Sequence, residues 1–143
     1  MKSKRLLIAT CLWAAASALG CAGIHVGQQV QAGRNALQTG RPADAALYLT
    51  QAAESNPEYR TPYRLPQSVL SYLGRAYYET GRDSEAKNVL ETAVNKHQDD
   101  HLAHLYLGLI RLRNGDRERG RKNVASGLKG IFIKSWNTSP RTT

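Results

Sequence analysis

The residues best suited to chemistry are three histidines that lie close together in the sequence. His97, His101 and His104 surround Asp99 and Asp100, and imidazole and carboxylate groups are common protein ligands of zinc and other divalent metals. A structural zinc site takes four ligands, and the pattern offers no evident fourth one. Two interpretations stay open: a metal site, or an aspartate that caps a helix beside histidines that pack against it. We favour the second and expect no bound metal.

Sequence motifs that indicate catalysis are absent from the chain. It contains no glycine-rich phosphate loop, no Gly-x-Ser-x-Gly, no His-Glu-x-x-His and no isolated pair of carboxylates. We therefore expect a protein without enzymatic activity and without a cofactor.

Composition and charge narrow the class of protein further. The 143 residues suffice for one modest domain, and 41% hydrophobic against 22% charged residues is typical of a folded chain. Lys and Arg number 20 against 11 Asp and Glu, a net charge of +9. Removal of Lys2, Lys4 and Arg5 would leave 17 against 11, which is short of the dense basic stripe of a nucleic-acid-binding protein. We expect no nucleic-acid partner.

The amino-terminal segment has the layout of an export signal. A basic head at residues 1–5 precedes an uncharged apolar run at residues 6–20 that ends in small side chains. The run is short for a transmembrane helix, although extending it through Ile24 keeps an uncleaved anchor open as an alternative. Residues 1–20 are therefore predicted to be a signal peptide.

Cys21 directly follows this segment and is preceded by the residues SALG at 17–20. This resembles the signal of a bacterial lipoprotein, with the usual leucine displaced by one place. The resemblance implies a lipid-modified Cys21, a tether over residues 21–25 and, because Ala22 is not aspartate, a place on the periplasmic side of the outer membrane. An inner-membrane anchor and a soluble periplasmic protein are the alternatives.

The middle of the chain repeats itself with a fixed period. Shifting by 34 residues superimposes one set of small and apolar residues on another, and shifting back by 41 finds a third set. The middle set is Leu73, Gly74, Tyr77, Gly81, Ala86, Leu90 and Ala93. These spacings resemble those of the tetratricopeptide repeat, a pair of helices in about 34 residues.

The resemblance implies an all-α solenoid of three repeats over residues 26–136. The repeats are predicted at 26–59, 67–100 and 101–134, with an insert at 60–66 and a mobile polar tail at 137–143. Gly40, Gly81 and Gly115 are expected to end the first helix of each pair, where a left-handed conformation favours glycine. Gly74 is expected where paired helices cross closely.

In similar repeat proteins the first helix of each pair lines a concave groove that binds the partner. The corresponding groove residues of this chain are Arg34, Leu37, Gln38, Ser71, Arg75, Tyr78, Glu79, Leu102, Leu105, Leu109, Leu112 and Arg113. Three of them are arginines, which could hold carboxylates or a peptide terminus by paired hydrogen bonds. Solvated surface charges are the alternative interpretation.

The four leucines of this set form an apolar stripe that something must cover. The apolar residues 131–136 could fold over the stripe as an end cap, a second copy of the chain could pack on it, or a partner could bind it. We favour the end cap.

These observations predict a membrane-tethered, non-catalytic adaptor that binds a protein or peptide in the bacterial cell envelope. A self-associating structural subunit of an envelope assembly is the first alternative, in pilus, secretion or outer-membrane assembly machinery. A metal-binding envelope protein that uses His97, His101 and His104 is the second.

Overall fold

A computed structural model describes residues 25–136 of the chain, which form six helices joined by short turns. The described residues contain no β-strand, only one isolated antiparallel bridge between Arg60 and Ser68. The predicted signal peptide, Cys21 and the tail at 137–143 lie outside the described residues. The helices are α1 (25–38), α2 (Pro42–Ser55), α3 (Val69–Glu79), α4 (Asp83–Lys96), α5 (His101–Arg113) and α6 (Arg117–Trp136).

Glycine ends the first helix of each pair, which confirms the sequence prediction. Gly40, Gly81 and Gly115 have φ values of 71°, 75° and 85°, a left-handed conformation that is costly for residues with a Cβ atom. Each glycine reverses the chain, so that α1 pairs with α2, α3 with α4, and α5 with α6. The result is the predicted all-α solenoid.

The paired helices run antiparallel and cross closely at small residues. A methyl group built on Gly74 of α3 would overlap the side chain of Leu90 on α4, as the sequence predicts for a close crossing. In the next pair, a Cβ atom on Gly108 would lie 2.7 Å from the side chain of Val124. Larger residues would push the helices apart and leave voids in the core.

The core is a continuous row of apolar side chains between the two layers of helices. Its largest fully buried members are Leu49, Leu90, Leu107 and Ile110, which come from α2, α4 and α5. Each pair of helices therefore completes its core only with its neighbours, as in other solenoids.

A buried aspartate joins the second and third units. Asp100 is wholly buried, and its carboxylate accepts hydrogen bonds from the backbone N–H of Ser68 at 2.8 Å and of Ala103 at 3.2 Å. The first bond reaches the start of α3 and the second caps the start of α5. One side chain thus fixes the beginnings of two helices relative to each other.

The carboxy-terminal apolar residues do not form the separate cap that the sequence suggested. Residues 131–136 continue α6, which is 20 residues long, and the side chains of Phe132 and Ile133 are 66% and 50% exposed. Residues 131–136 contain no glycine or proline that would end the helix, and the helix extends through them. Within residues 25–136, none of the helices combines the length and apolar character that crossing a bilayer requires.

Candidate functional site

The first helices of the three pairs line one face of the solenoid, which we call the groove. The guanidinium of Arg34 on α1 lies 5.4 Å from the ring of Tyr72 on α3. The ring of Tyr78 on α3 meets that of Tyr106 on α5 edge to face, with centroids 5.4 Å apart. These contacts bring α1, α3 and α5 side by side, as an inner layer requires.

A cleft of about 220 Å³ opens in the groove between α1 and α3. Polar and charged side chains dominate its wall, and two leucines form its apolar part. The lining residues are Arg34, Leu37, Gln38, Gln67, Tyr72, Arg75 and Leu102. A wall with several side-chain donors around a small apolar floor suits a polar or anionic group attached to a carbon chain.

Arg34 is held in this cleft by aromatic and neutral polar groups. Its guanidinium lies 4.7 Å from the ring centroid of Tyr63. One of its nitrogens donates to the Tyr63 hydroxyl at 2.8 Å and to Gln31 Oε1 at 3.1 Å. Among the ion pairs of residues 25–133, none involves Arg34. Its charge is thus positioned by its neighbours but not neutralised by a carboxylate.

The other two groove arginines are already paired with carboxylates. Arg75 donates to Glu79 Oε1 at 2.7 Å, and Arg113 donates to Asp83 Oδ1 at 2.7 Å while lying 4.1 Å from the centroid of Tyr78. Burial is the largest influence on the pKa of Arg75 and lowers it, but the hydrogen bond to Glu79 and the electrostatic attraction of Glu79 and nearby tyrosines together outweigh burial, so this pKa lies above its usual value. Of the three predicted groove arginines, Arg75 and Arg113 thus have carboxylate partners, whereas Arg34 has none among the described residues.

Two tyrosines give the groove its aromatic character. Burial raises the pKa of Tyr72 and of Tyr106 above the usual value for a phenol, so both rings stay neutral around pH 7. Each ring has an arginine near it, Arg34 beside Tyr72 at 5.4 Å and Arg75 beside Tyr106 at 5.8 Å. Neutral rings favour cation–π contacts that hold both guanidinium groups in the groove.

Comparison with known proteins decides the family. A sequence model of the tetratricopeptide repeat matches residues 36–110. The chain belongs to the tetratricopeptide repeat family. Its fold is similar to that of the tetratricopeptide repeat domain of Sgt2 from Aspergillus fumigatus, with a TM-score of 0.55 and 18% identity over 82% of this chain and 86% of that one. No curated protein matches the sequence significantly.

One predicted groove residue of the tetratricopeptide repeat domain is not accessible. Ser71 is wholly buried, and its hydroxyl donates to the backbone oxygen of Ser68 at 2.8 Å. The backbone N–H of Ser71 in turn donates to the Ser68 hydroxyl, which caps α3. Ser71 therefore lies in the buried first turn of α3, where both its backbone N–H and its hydroxyl are bonded to the capping residue Ser68.

The predicted stripe of four leucines is divided between two surfaces. Leu112 packs on Gly120, and the backbone of Leu105 lies against Gly127, so both residues are on the side of α5 that faces α6. Leu102 is on the cleft side, and Leu109 is half-buried. At about 100° per residue, the spacing of the four leucines keeps them within about 80° of the helix circumference. The stripe therefore lies across the boundary of the two surfaces, with Leu105 and Leu112 at its edge toward α6 and Leu102 at its edge toward the cleft.

The three histidines do not converge on one point. His97 Nε2 lies 3.9 Å from Glu58, the ring of His101 packs on Gly130, and His104 Nε2 contacts the backbone oxygen of Gln98 at 3.1 Å. Within the part of the chain that the structure describes, no group of three His, Cys, Asp or Glu side chains could hold a metal ion. The cap by Asp100, which was the favoured interpretation, is present.

The insert at residues 60–66 contributes to the groove, which the sequence did not indicate. The bridge between Arg60 and Ser68 closes the insert into a loop, and Tyr63 at its tip reaches Arg34. Gln67 and Tyr72 of the cleft were also missed. Tyr106 follows Leu102 by four residues, and this helical spacing could have placed it on the groove face. Tyr63 occupies no repeat position, so no sequence signal could have placed it.

Proposed function

We propose that this tetratricopeptide repeat protein is a non-catalytic adaptor that binds a protein or peptide partner through its groove. Repeat domains of this family generally serve as scaffolds for protein partners. The observation that carries the proposal is Arg34, a guanidinium held in an open cleft without a carboxylate partner among the described residues. Such a group favours a carboxylate of the partner, either an acidic side chain or a chain terminus.

We further propose that the protein is tethered to a membrane of the bacterial cell envelope through a lipidated Cys21. The export-type segment at residues 1–20 and the small residues before Cys21 support this proposal. Only residues 22–24 separate Cys21 from residue 25, the first residue of α1 that the structure describes. Acyl chains on Cys21 would thus hold the groove close to the bilayer, on the periplasmic side of the outer membrane.

Substitution of Arg34 tests the adaptor function. Proteins captured from an envelope extract by the wild-type chain would be compared with those captured by Arg34→Glu and by Arg41→Glu. Arg41 is a matched control, because it is an exposed arginine of the first unit that pairs with Asp44 outside the cleft. We expect the specific partner to be lost with Arg34→Glu only. If Arg34→Glu captures the same proteins as the wild type, the cleft is not the binding site.

A further inference from the structure

The last helix runs past the edge of the solenoid. Helices α2 and α4 each have 14 residues, whereas α6 has 20. Gly130 packs against His101, the first residue of α5, so residues 131–136 lie beyond the point where the neighbouring helix begins. At 1.5 Å per residue, this extension projects about 9 Å.

The outer face of this last helix combines exposed apolar and basic side chains. Leu128, Phe132 and Ile133 are 40%, 66% and 50% exposed. At about 100° per residue they span about 140° of the helix circumference, and Lys129 falls between Phe132 and Ile133. Among residues 117–133, the only acidic residue is Glu118. The basic residues of the same stretch are exposed as well: Arg117, Arg119, Arg121, Lys122 and Lys129.

The extension lies at the edge of the solenoid where α1 begins. Tyr59, just after α2, contacts both α1 and α3. Its hydroxyl lies near Gly27 in the first described turn of α1, and its backbone oxygen accepts a hydrogen bond from Val69 N–H, at the start of α3, at 2.9 Å. The starts of α1 and α3 are therefore neighbours at one edge, which we call the lower rim.

The third unit has the same orientation. Asp100 binds the backbone of Ser68 at 2.8 Å, which brings the start of α5 to the start of α3. The contact between His101 and Gly130 then places the end of α6 beside the start of α5. The lower rim therefore carries both the start of α1, which follows the Cys21 tether, and the apolar end of α6.

We propose that the carboxy-terminal end of α6 is a second membrane contact, which docks on an anionic bilayer surface. Leu128, Phe132 and Ile133 enter the interface between headgroups and acyl chains, while Lys129 among them faces anionic headgroups. Arg121 and Lys122 lie about 9–11 Å farther along α6 from the bilayer and add a longer-range attraction. A basic helix face complements an anionic surface and would be repelled by a second copy of itself. The inference rests on the proposed Cys21 anchor, which turns the lower rim toward the bilayer.

Two membrane contacts on one rim would fix the orientation of the groove. A single flexible tether leaves a domain free to rotate above the bilayer. A second contact at the opposite end of the solenoid removes most of this freedom. The groove would then be presented with its helices upright on the membrane, since α1, α3 and α5 all begin at the lower rim.

Hydrogen exchange on vesicles tests this contact directly. The chain would be expressed from its full sequence, extracted in detergent and reconstituted into vesicles of phosphatidylcholine with or without phosphatidylglycerol. We expect backbone exchange over residues 128–133 to slow several-fold on the anionic vesicles only. Leu128→Glu together with Ile133→Glu should abolish this slowing. The matched control is Leu47→Glu with Tyr48→Glu, an exposed pair on α2, which should leave it unchanged.

The outcomes separate this contact from the proposed anchor. If the chain binds vesicles but exchange over residues 128–133 is not slowed, the membrane contact of α6 is overturned and the Cys21 anchor stands. If the expressed chain is recovered from the soluble fraction, the Cys21 anchor is overturned. Hydrogen exchange measured after vesicles are added to this soluble chain then still tests the membrane contact of α6. Equal slowing on neutral vesicles overturns the role of charge. If exchange over residues 128–133 also slows in the absence of vesicles as the protein concentration rises, the contact is with a second copy of the chain and the membrane contact is overturned.

Discussion

At the scale of single residues, Asp100 is the side chain on which the connection between units depends most. Its carboxylate is wholly buried and accepts two backbone hydrogen bonds, one of them from the preceding unit. Hydrogen bonds to a charged acceptor are stronger than neutral ones, and removing the acceptor leaves buried N–H groups unsatisfied. Neighbouring Asp99 instead is exposed and pairs with Arg60 at 3.0 Å.

This contrast gives a matched pair of substitutions. Asp100→Ala should lower the free energy of unfolding by about 3 kcal/mol, because two buried donors lose their acceptor. Asp99→Ala should lower it by less than about 1 kcal/mol, because it removes a surface ion pair. Urea denaturation followed by circular dichroism measures both. Similar losses for the two variants would show that the buried position of Asp100 contributes nothing.

The groove shows what residue types can and cannot predict. The resemblance to the tetratricopeptide repeat implied groove positions for Arg34, Gln38 and Leu102, which all line the cleft. It could not tell that Arg75 is paired with Glu79, because both residues fit groove positions equally well. Nor could it place Tyr63, since the position of a loop residue depends on how the insert closes between two helices. Repeat periodicity fixes the register of helices but not the rotamers on them.

At the scale of elements, each helix pair is held by a glycine opposite a leucine. Gly33 lies against Leu49 in the first pair, and Gly74 lies against Leu90 in the second. Both leucines are wholly buried. The repeat was recognisable in the sequence because this close crossing tolerates only small residues on one helix and a fixed spacing on the other.

A double substitution tests this complementarity. Gly74→Ala should cost about 2 kcal/mol of unfolding free energy by overpacking, and Leu90→Ala about 3 kcal/mol by leaving a cavity. Together they should cost at least about 1 kcal/mol less than the separate effects combined, because the new methyl group fills part of the space left by Leu90.

The control for this cycle combines changes in different units. Gly74→Ala with Leu49→Ala should be additive, because Leu49 packs on Gly33 rather than on Gly74. Chemical denaturation of the five variants and the wild type supplies all the free energies. Additivity in the Gly74–Leu90 pair as well would contradict direct packing between the two residues.

At the scale of the whole molecule, the sequence predicted the stacking of helices better than the end of the stack. Each helix pair repeats a local pattern that resembles the tetratricopeptide repeat, and this resemblance implies its fold. No repeat unit follows α6 within residues 25–136, and the apolar residues at its end fit both a folded-back cap and a helical extension. The choice depends on whether the chain turns after Gly130. The structure continues the helix to Trp136, with Phe132 and Ile133 exposed.

Truncation distinguishes a cap from an extension. Removing residues 131–143 should change the unfolding free energy by less than about 1 kcal/mol, because Phe132 and Ile133 are exposed and cover little of the core. Removing all residues from Arg117 onward should prevent stable folding, since Leu105 and Leu112 would lose their neighbours on α6. The shorter truncation should still capture the partner through Arg34 yet lose the slowed exchange on anionic vesicles. A loss of about 3 kcal/mol on that truncation, as for a buried core residue, would instead identify residues 131–143 as a cap.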